Sequence, residues 1–279
     1  MTKSLRVLFV GDVVGQPGMT IFQRWIPKLK EKYALDAVIV NGENSNKTGK
    51  GIIPKAIDFF KHNGASVITT GNHVWEQRDV YMSLNQRDDI IRPANYPPGC
   101  PGKGHTFFYI NEIPIAVINL MGRVFTRDPL DCPFRTVESL LTFIHTKTNI
   151  IFVDFHAEAT SEKNAMGIYL DGKVSGVFGT HTHVQTADER ILPDGTGFIT
   201  DAGSCGPLYS VIGMQHDVIL QRFLTYPRAG KFVVQTQGPV IFSGVWVQVS
   251  TETGKAEKIE RVYFVDDTIS SAMHPAELA

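Results

Sequence analysis

Five short polar clusters carry most of the chemistry available to this chain: Gly11-Asp12, Asn41-Gly42-Glu43-Asn44, Gly71-Asn72-His73, His156 and Gly179-Thr180-His181-Thr182-His183. Their carboxylates, amide oxygens and imidazoles are hard-to-borderline metal ligands. Two carboxylates, two of the three amides and four imidazoles come close to the set that two divalent or trivalent cations require. Such a set points to an enzyme.

Each cluster also has a plainer explanation. Asp12 could cap a following helix, Asn41 to Asn44 could be turn chemistry, Asn72 could be an N-cap with His73 in the first turn, and a lone His156 could be a satisfied core histidine. His181 and His183, spaced i and i+2, point the same way only in an extended or turning segment. All the plain explanations would have to hold at once, with every cluster still falling just after an apolar, strand-like run. The conjunction favours a shared site. His62, His105, His145, His216 and His274 lack such placement and read as structural.

To converge, the clusters must be delivered by strands. The N-terminal half alternates strand-like Leu5–Val10, Ala37–Val40 and Ser66–Thr69 with helix-like Pro17–Tyr33 and Pro54–Asn63, the βαβαβ rhythm of a parallel sheet. Loops at the carboxyl ends of such strands line the binding crevice, and Asp12, Glu43, Asn44, Asn72 and His73 fall in those loops. A helix is expected over Val74–Leu84. After a Pro- and Gly-rich loop from Arg92 to Gly104, Thr106–Ile110 and Ile115–Leu120 read as a hairpin around Asn111-Glu112 that starts a second sheet. Helix Phe134–Thr146, strand Ile150–Phe155, a short helix capped by Ser161 and ending near Gly172, and strand Val174–Phe178 follow. The runs Phe198–Asp201, Phe232–Val234, Val245–Ser250 and Ile259–Val265 suggest a mainly antiparallel remainder, and Thr268 to Ala279 a frayed tail.

Composition narrows the class. With 279 residues, 43% of them hydrophobic, one domain over residues 1–267 is expected. A net charge of −1 without a dense Lys/Arg run lacks the footprint of stable nucleic-acid binding, while a small anionic substrate suits a metal site. Cys100, Cys132 and Cys205 form neither a disulfide framework nor a Cys-x-x-Cys site, so a cytoplasmic location is expected. No apolar run reaches membrane length, and a homo-oligomer is compatible with the chain.

The order Gly-Asp, Asn-Gly-Glu-Asn, Gly-Asn-His, His and Gly-Thr-His-Thr-His resembles the calcineurin-like metallophosphoesterases, and within them the YmdB-type branch of bacterial phosphodiesterases. The likeness runs from about Val7 to Val265 and includes Asp154 through Thr160, Gly179 through Arg190, and Thr200-Asp201 with Gly206-Pro207. It implies an α/β fold, a four-layer αββα sandwich of two mixed sheets. It also implies two metal ions, iron (Fe2+/Fe3+) or manganese before zinc or magnesium, and hydrolysis of phosphodiesters including 2′,3′-cyclic nucleotides such as 2′,3′-cAMP. Carried over residue by residue, Asp12, Glu43, Asn44 and His183 would hold one ion. Glu43, as the bridge, with Asn72, His156 and His181 would hold the other. His73 would be the catalytic histidine that is not a ligand. Many superfamily members have Asp-x-His at the first motif, whereas Val13-Val14 follow Asp12 here, and Asn44 would offer an amide oxygen in place of that imidazole. Glu43 stands where the wider superfamily usually has Asp.

On this reading a hydroxide shared by the ions attacks phosphorus, and His73 protonates the leaving oxygen, work that suits an imidazole of pKa ~6.5. Asp154 and Glu158 flank His156 and are candidates to orient an imidazole N–H. Arg123 and Arg127, in the loop after Ile115–Leu120, could meet the phosphate, though solvated loop arginines are the plainer account. Competing readings are a regulatory metal- or nucleotide-binding module with little turnover, a phosphomonoesterase and an RNA-directed phosphodiesterase. A metal-dependent amidohydrolase also uses His-x-His, but on the first strand of a barrel, and the rhythm here breaks into hairpins after Leu120.

Overall fold

Alternate residues of the central strands belong to different hydrophobic cores, and this sets the layering. In the computed structural model, which describes residues 3–226 and 230–269, the strands are β1 (Ser4–Val10), β2 (Asp12–Val13), β3 (Ala37–Asn41), β4 (Val67–Thr69), β5 (His105–Ile110), β6 (Ile113–Met121), β7 (Ile151–His156), β8 (Gly176–Thr180), β9 (Arg190–Ile191), β10 (Gly197–Ile199), β11 (Ser204–Pro207), β12 (Val240–Ser250) and β13 (Ala256–Asp266). The helices are α1 (Gly15–Tyr33), α2 (Pro54–His62), α3 (Val80–Gln86), α4 (Pro133–Ile144), α5 (Thr160–Leu170) and α6 (His216–Leu224).

On β1, Leu5, Val7 and Phe9 enter a core shared with Ile115, Val117, Phe152, Phe178, Val245 and Val247. Leu8 and Val10 face the other way, onto Ile21, Phe22 and Ile26 of α1 and Phe60 of α2. In the second sheet, Ala116, Ile118 and Leu120 turn away from Val117 to pack on Val137 and Leu141 of α4 and on Met166 and Leu170 of α5. Period-two side-chain alternation thus gives four layers, helix, sheet, sheet, helix, the αββα sandwich expected. Phe178 knits the middle layer, its ring 5.0 Å from Phe9 across the sheets and 6.2 Å from Phe152 beside it. Full burial of each such ring contributes about 1.5–3 kcal/mol.

Both sheets are mixed. The first runs β2-β11-β12-β1-β3-β4, with β13 on the free side of β12, and the second runs β5-β6-β7-β8-β10-β9. Parallel pairing of β1 with β3 and β3 with β4 brings their carboxyl ends to one edge. Parallel β6, β7, β8 and β10 do the same in the second sheet. The β5–β6 hairpin turns at Asn111 and Glu112, both at positive φ, as a two-residue turn matched to strand twist demands. Among the described residues no helix is long and apolar enough to cross a membrane.

Several expected elements differ. The helix expected over Val74–Leu84 begins only at Val80, because residues 71–79 form turns, with Val74 N–H on Gly71 O and Glu76 N–H on His73 O. The first helix starts at Gly15 rather than Pro17, with Val14 at its N-cap, so Asp12 lies in β2 and caps nothing. Ser161 sits inside the first turn of α5, whose N-cap is Ala159 and whose last residue is Leu170. Phe232–Val234 is no strand and makes one isolated bridge, Val234 with Met214. The remainder after β8 is only partly antiparallel, since β10 joins β8 and β11 joins β2 in parallel. The short strand β11 and the helix α6 had no expected counterpart. The expected tail falls outside the described residues beyond position 269.

Candidate metal centre

The polar clusters meet where the carboxyl edges of the two sheets abut. Asp12 follows β1, Glu43 and Asn44 follow β3, Asn72 and His73 follow β4, His156 ends β7, and His181 and His183 follow β8. Strand parity puts Asp154 and His156 on the face of Phe152, between the sheets. Two glycines permit the approach. A Cβ on Gly71 would collide with the His156 ring, and one on Gly179 with the Thr200 carbonyl.

His156 Nε2 stands among three other donor atoms: Asn72 Oδ1 at 2.9 Å, His181 Nδ1 at 3.0 Å and Glu43 Oε1 at 3.1 Å. Beside them Asn44 Nδ2 lies 3.2 Å from His183 Nε2, 3.4 Å from Glu43 Oε1 and 3.5 Å from Asp12 Oδ1. A half-turn of the Asn44 amide exchanges its nitrogen and oxygen in place, so this group can present an oxygen to the same neighbours. Asp12 Oδ2 accepts the backbone N–H of His181 at 3.0 Å. Glu43 Oε2 accepts that of His73 at 3.0 Å.

The outer nitrogen of each imidazole is already engaged. His181 Nε2 lies 3.1 Å from Glu158 Oε2, and His183 Nδ1 lies 3.1 Å from the Ile212 carbonyl. His156 Nδ1 meets Thr180 Oγ1 at 2.9 Å. That hydroxyl has one hydrogen and donates it to Asp154 Oδ1 at 2.7 Å, so it must accept from His156. Asp154 therefore orients His156 through Thr180, not by direct contact. Its other oxygen accepts from Thr69 and Asn41 of the opposite sheet. In all three rings the nitrogen left with a lone pair is the one facing the cluster, the arrangement found around metal-binding histidines.

The electrostatics demand positive charge. Burial works against charged forms, yet Glu43 outweighs it at His156, whose pKa rises to about 9, and His156 outweighs it at Glu43, whose pKa falls to about 2. Burial, then His156, pushes His181 down to about 3. Burial also raises Asp12 and lifts Asp154 to about 7. The buried carboxylates of Glu43 and Asp12 thus favour a positive charge beside them, and the N/O donor set fits a divalent metal. Glu43, His156 and His181 have ligand atoms all within 4.8 Å of one another.

His181 and His183 sit at φ +100° and +65°, a region that costs a non-glycine residue about 1–3 kcal/mol. Thr182, between them, is clamped by Asp201, which accepts its hydroxyl at 2.7 Å and its N–H at 3.2 Å. Asp201 is in turn paired with Lys163 at 2.6 Å, both 1% exposed. The pair escapes a residue-by-residue reading. One signal was present: Lys163 shares a helical stripe with Met166 and Leu170, where a solvated lysine has no place.

His73 stands at the side of the cluster, its Nδ1 3.6 Å from Glu76 Oε1. Arg123 and Arg127 are both exposed, and Arg127 lines a cleft of about 540 Å³ with Asn72, His156 and His181.

The sequence profile described as YmdB-like protein matches residues 8–262. The 2′,3′-cyclic-nucleotide 2′-phosphodiesterase of Bacillus subtilis (strain 168) is 46% identical over 263 residues, 94% of this chain and 98% of that protein. A crystal structure of a novel phosphatase from Mycoplasma pneumoniae is similar with a TM-score of 0.87 at 37% identity, covering 96% of this chain and 95% of that one. A hypothetical protein from Thermus thermophilus is similar with a TM-score of 0.86 at 38% identity, over 94% and 100% of the two chains.

Proposed function

The chain belongs to the YmdB-like family of metallophosphoesterases, and from that premise we propose that it is a metal-dependent phosphodiesterase that opens 2′,3′-cyclic nucleotides such as 2′,3′-cAMP at the 2′ bond. The observation that carries the reading is the crowding of Glu43, Asn72 and His181 donor atoms within 3.1 Å of His156 Nε2. Asp12, Glu43, Asn44 and His183 would hold one ion, and Glu43, Asn72, His156 and His181 the other. Iron or manganese suits this set, with zinc and magnesium as alternatives. When bound, the pair would supply Lewis-acid polarisation of the phosphoryl oxygens and an activated water.

The protein's own groups do the rest. Only Asp12 and Glu43 bring negative charge to the donor set, so two bound cations would leave a net positive site for an anionic diester. The oxygen of water joins phosphorus and one of its protons passes to solvent, the P–O2′ bond breaks, and protonated His73 gives the departing oxygen its proton, leaving a 3′-monophosphate. A general acid of this kind contributes about 10²–10⁴-fold. The bond from His73 N–H to Glu43 fixes the catalytic residue's backbone relative to a ligand. Residues 1–267 would act as one domain in the cytosol, a setting that suits the three free cysteines.

Elemental analysis of protein purified without added metal, paired with turnover of 2′,3′-cAMP, linear diesters and phosphomonoesters, tests the proposal. Two metals per chain and conversion of 2′,3′-cAMP to 3′-AMP are expected. A fully metallated sample without turnover would leave a regulatory module as the better account.

A further inference from the structure

The cleft beside the candidate centre has two unlike walls. Asn72, His156 and His181 form one, and the loop that follows β6 forms the other, with Phe125 and Arg127 in its lining. Phe125 is 85% exposed and belongs to none of the hydrophobic cores among the described residues. A phenyl ring held in water serves no packing purpose.

The loop is built to hold the ring where it is. Met121 pairs in register with His156, and Gly122 N–H donates to the His156 carbonyl at 3.0 Å, so the loop departs from the centre itself. Arg123 and Val124 N–H donate to the Glu162 carboxylate at 2.9 and 3.2 Å, and Glu162 is 9% exposed. Phe125 then takes φ +64°, a conformation that bulky residues adopt only under constraint. Two residues on, the Arg127 guanidinium makes no ion pair among the described residues. The wall thus presents an aromatic face and, next to it, an uncommitted cation.

An aromatic face beside a cation, across from a phosphate-binding centre, fits a planar base joined to a phosphate. We propose that Phe125 is the platform on which the nucleobase of a nucleoside phosphate stacks while its phosphate meets the centre. The choice of a nucleotide rests on the phosphodiesterase reading above. A second cleft, past His183, carries Tyr263 and Arg261. Its arginine is already bound to Glu189 at 2.7 Å, so that wall has no free cation to offer.

Equilibrium binding to the metal-loaded protein tests the platform, with 3′-AMP compared against its baseless counterpart, methyl ribofuranoside 3-phosphate. Phe125→Ala should weaken 3′-AMP on the order of tenfold to a hundredfold and leave the baseless ligand within about twofold. Phe125→Trp should restore 3′-AMP binding, and Tyr263→Ala should change neither. Equal loss for both ligands, no loss for either, or failure of tryptophan to restore binding overturns the platform. Turnover of 2′,3′-cAMP by the unmodified protein is read separately. Absent turnover with Phe125-dependent 3′-AMP binding would overturn the reaction and keep the platform.

Discussion

Replacing Thr180 by valine keeps the shape of the side chain and removes the hydroxyl through which Asp154 orients His156. In the folded protein that hydroxyl donates to Asp154 Oδ1 at 2.7 Å and accepts from His156 Nδ1 at 2.9 Å. Valine strands a buried imidazole N–H at a cost of about 1–3 kcal/mol, and taking one of three donors from Asp154 adds about 1 kcal/mol. Urea denaturation of metal-free protein should therefore show a loss of about 2–4 kcal/mol. A second effect is separable from the first. Without Thr180 the His156 ring is free to change tautomer or swing, and loss of such an outer partner weakens metal binding by about 10–100-fold. Calorimetric titration of the folded variant with Mn2+ reads that loss, and Thr180→Ser, which keeps the hydroxyl, should recover it. Wild-type metal affinity in Thr180→Val, or an equal defect in Thr180→Ser, would refute the relay.

Three further outcomes are expected. His73→Ala should retain its metals and lose about 10²–10⁴-fold in turnover of 2′,3′-cAMP, and undiminished turnover would remove His73 from the reaction. Lys163→Met should destabilise the protein by about 3–5 kcal/mol in urea, because it leaves the Asp201 carboxylate buried and unpaired; a loss below about 1 kcal/mol would mean that water reaches Asp201. Burial raises the Cys205 thiol to about 12, so at neutral pH a thiol reagent should modify the partly exposed Cys100 and Cys132 and spare Cys205 until the protein unfolds.

What could be read from the sequence was local. An apolar run followed by Gly-Asp or Gly-Asn-His announces a strand and its exit loop, and parallel strands bring their exit loops to one edge, so the side chains of the centre were visible before the structure. Contacts distant along the chain were not. His73 lies beyond β4 as expected, but its N–H is taken by Glu43, thirty residues earlier, and the segment after it makes tight turns where the Val74–Leu84 pattern favours a helix. Asp154 was foreseen as an imidazole partner. Its route through Thr180 depends on the β7–β8 register, which sets His156 opposite Thr180 and is written in neither strand alone. Lys163 and Asp201 are thirty-eight residues apart, and only the fold makes them a pair. Phe125 stood in an unremarkable loop, since nothing in its neighbours forecasts an exposed ring at positive φ.

The placement of β12 has a consequence for the order of synthesis. β1 hydrogen-bonds to β12 along its whole length, from Ser4 opposite Ser250 to Val10 opposite Gly244, and Gly11 N–H continues onto Ser243 O at 3.2 Å. Until Val240–Ser250 has left the ribosome, β1 lacks its antiparallel neighbour, and Asp12 is held only through its pairing with Ser204 and the His181 N–H. A nascent chain stalled at residue 239 would carry every side chain of the proposed centre on a first sheet that still lacks its two longest strands, β12 and β13.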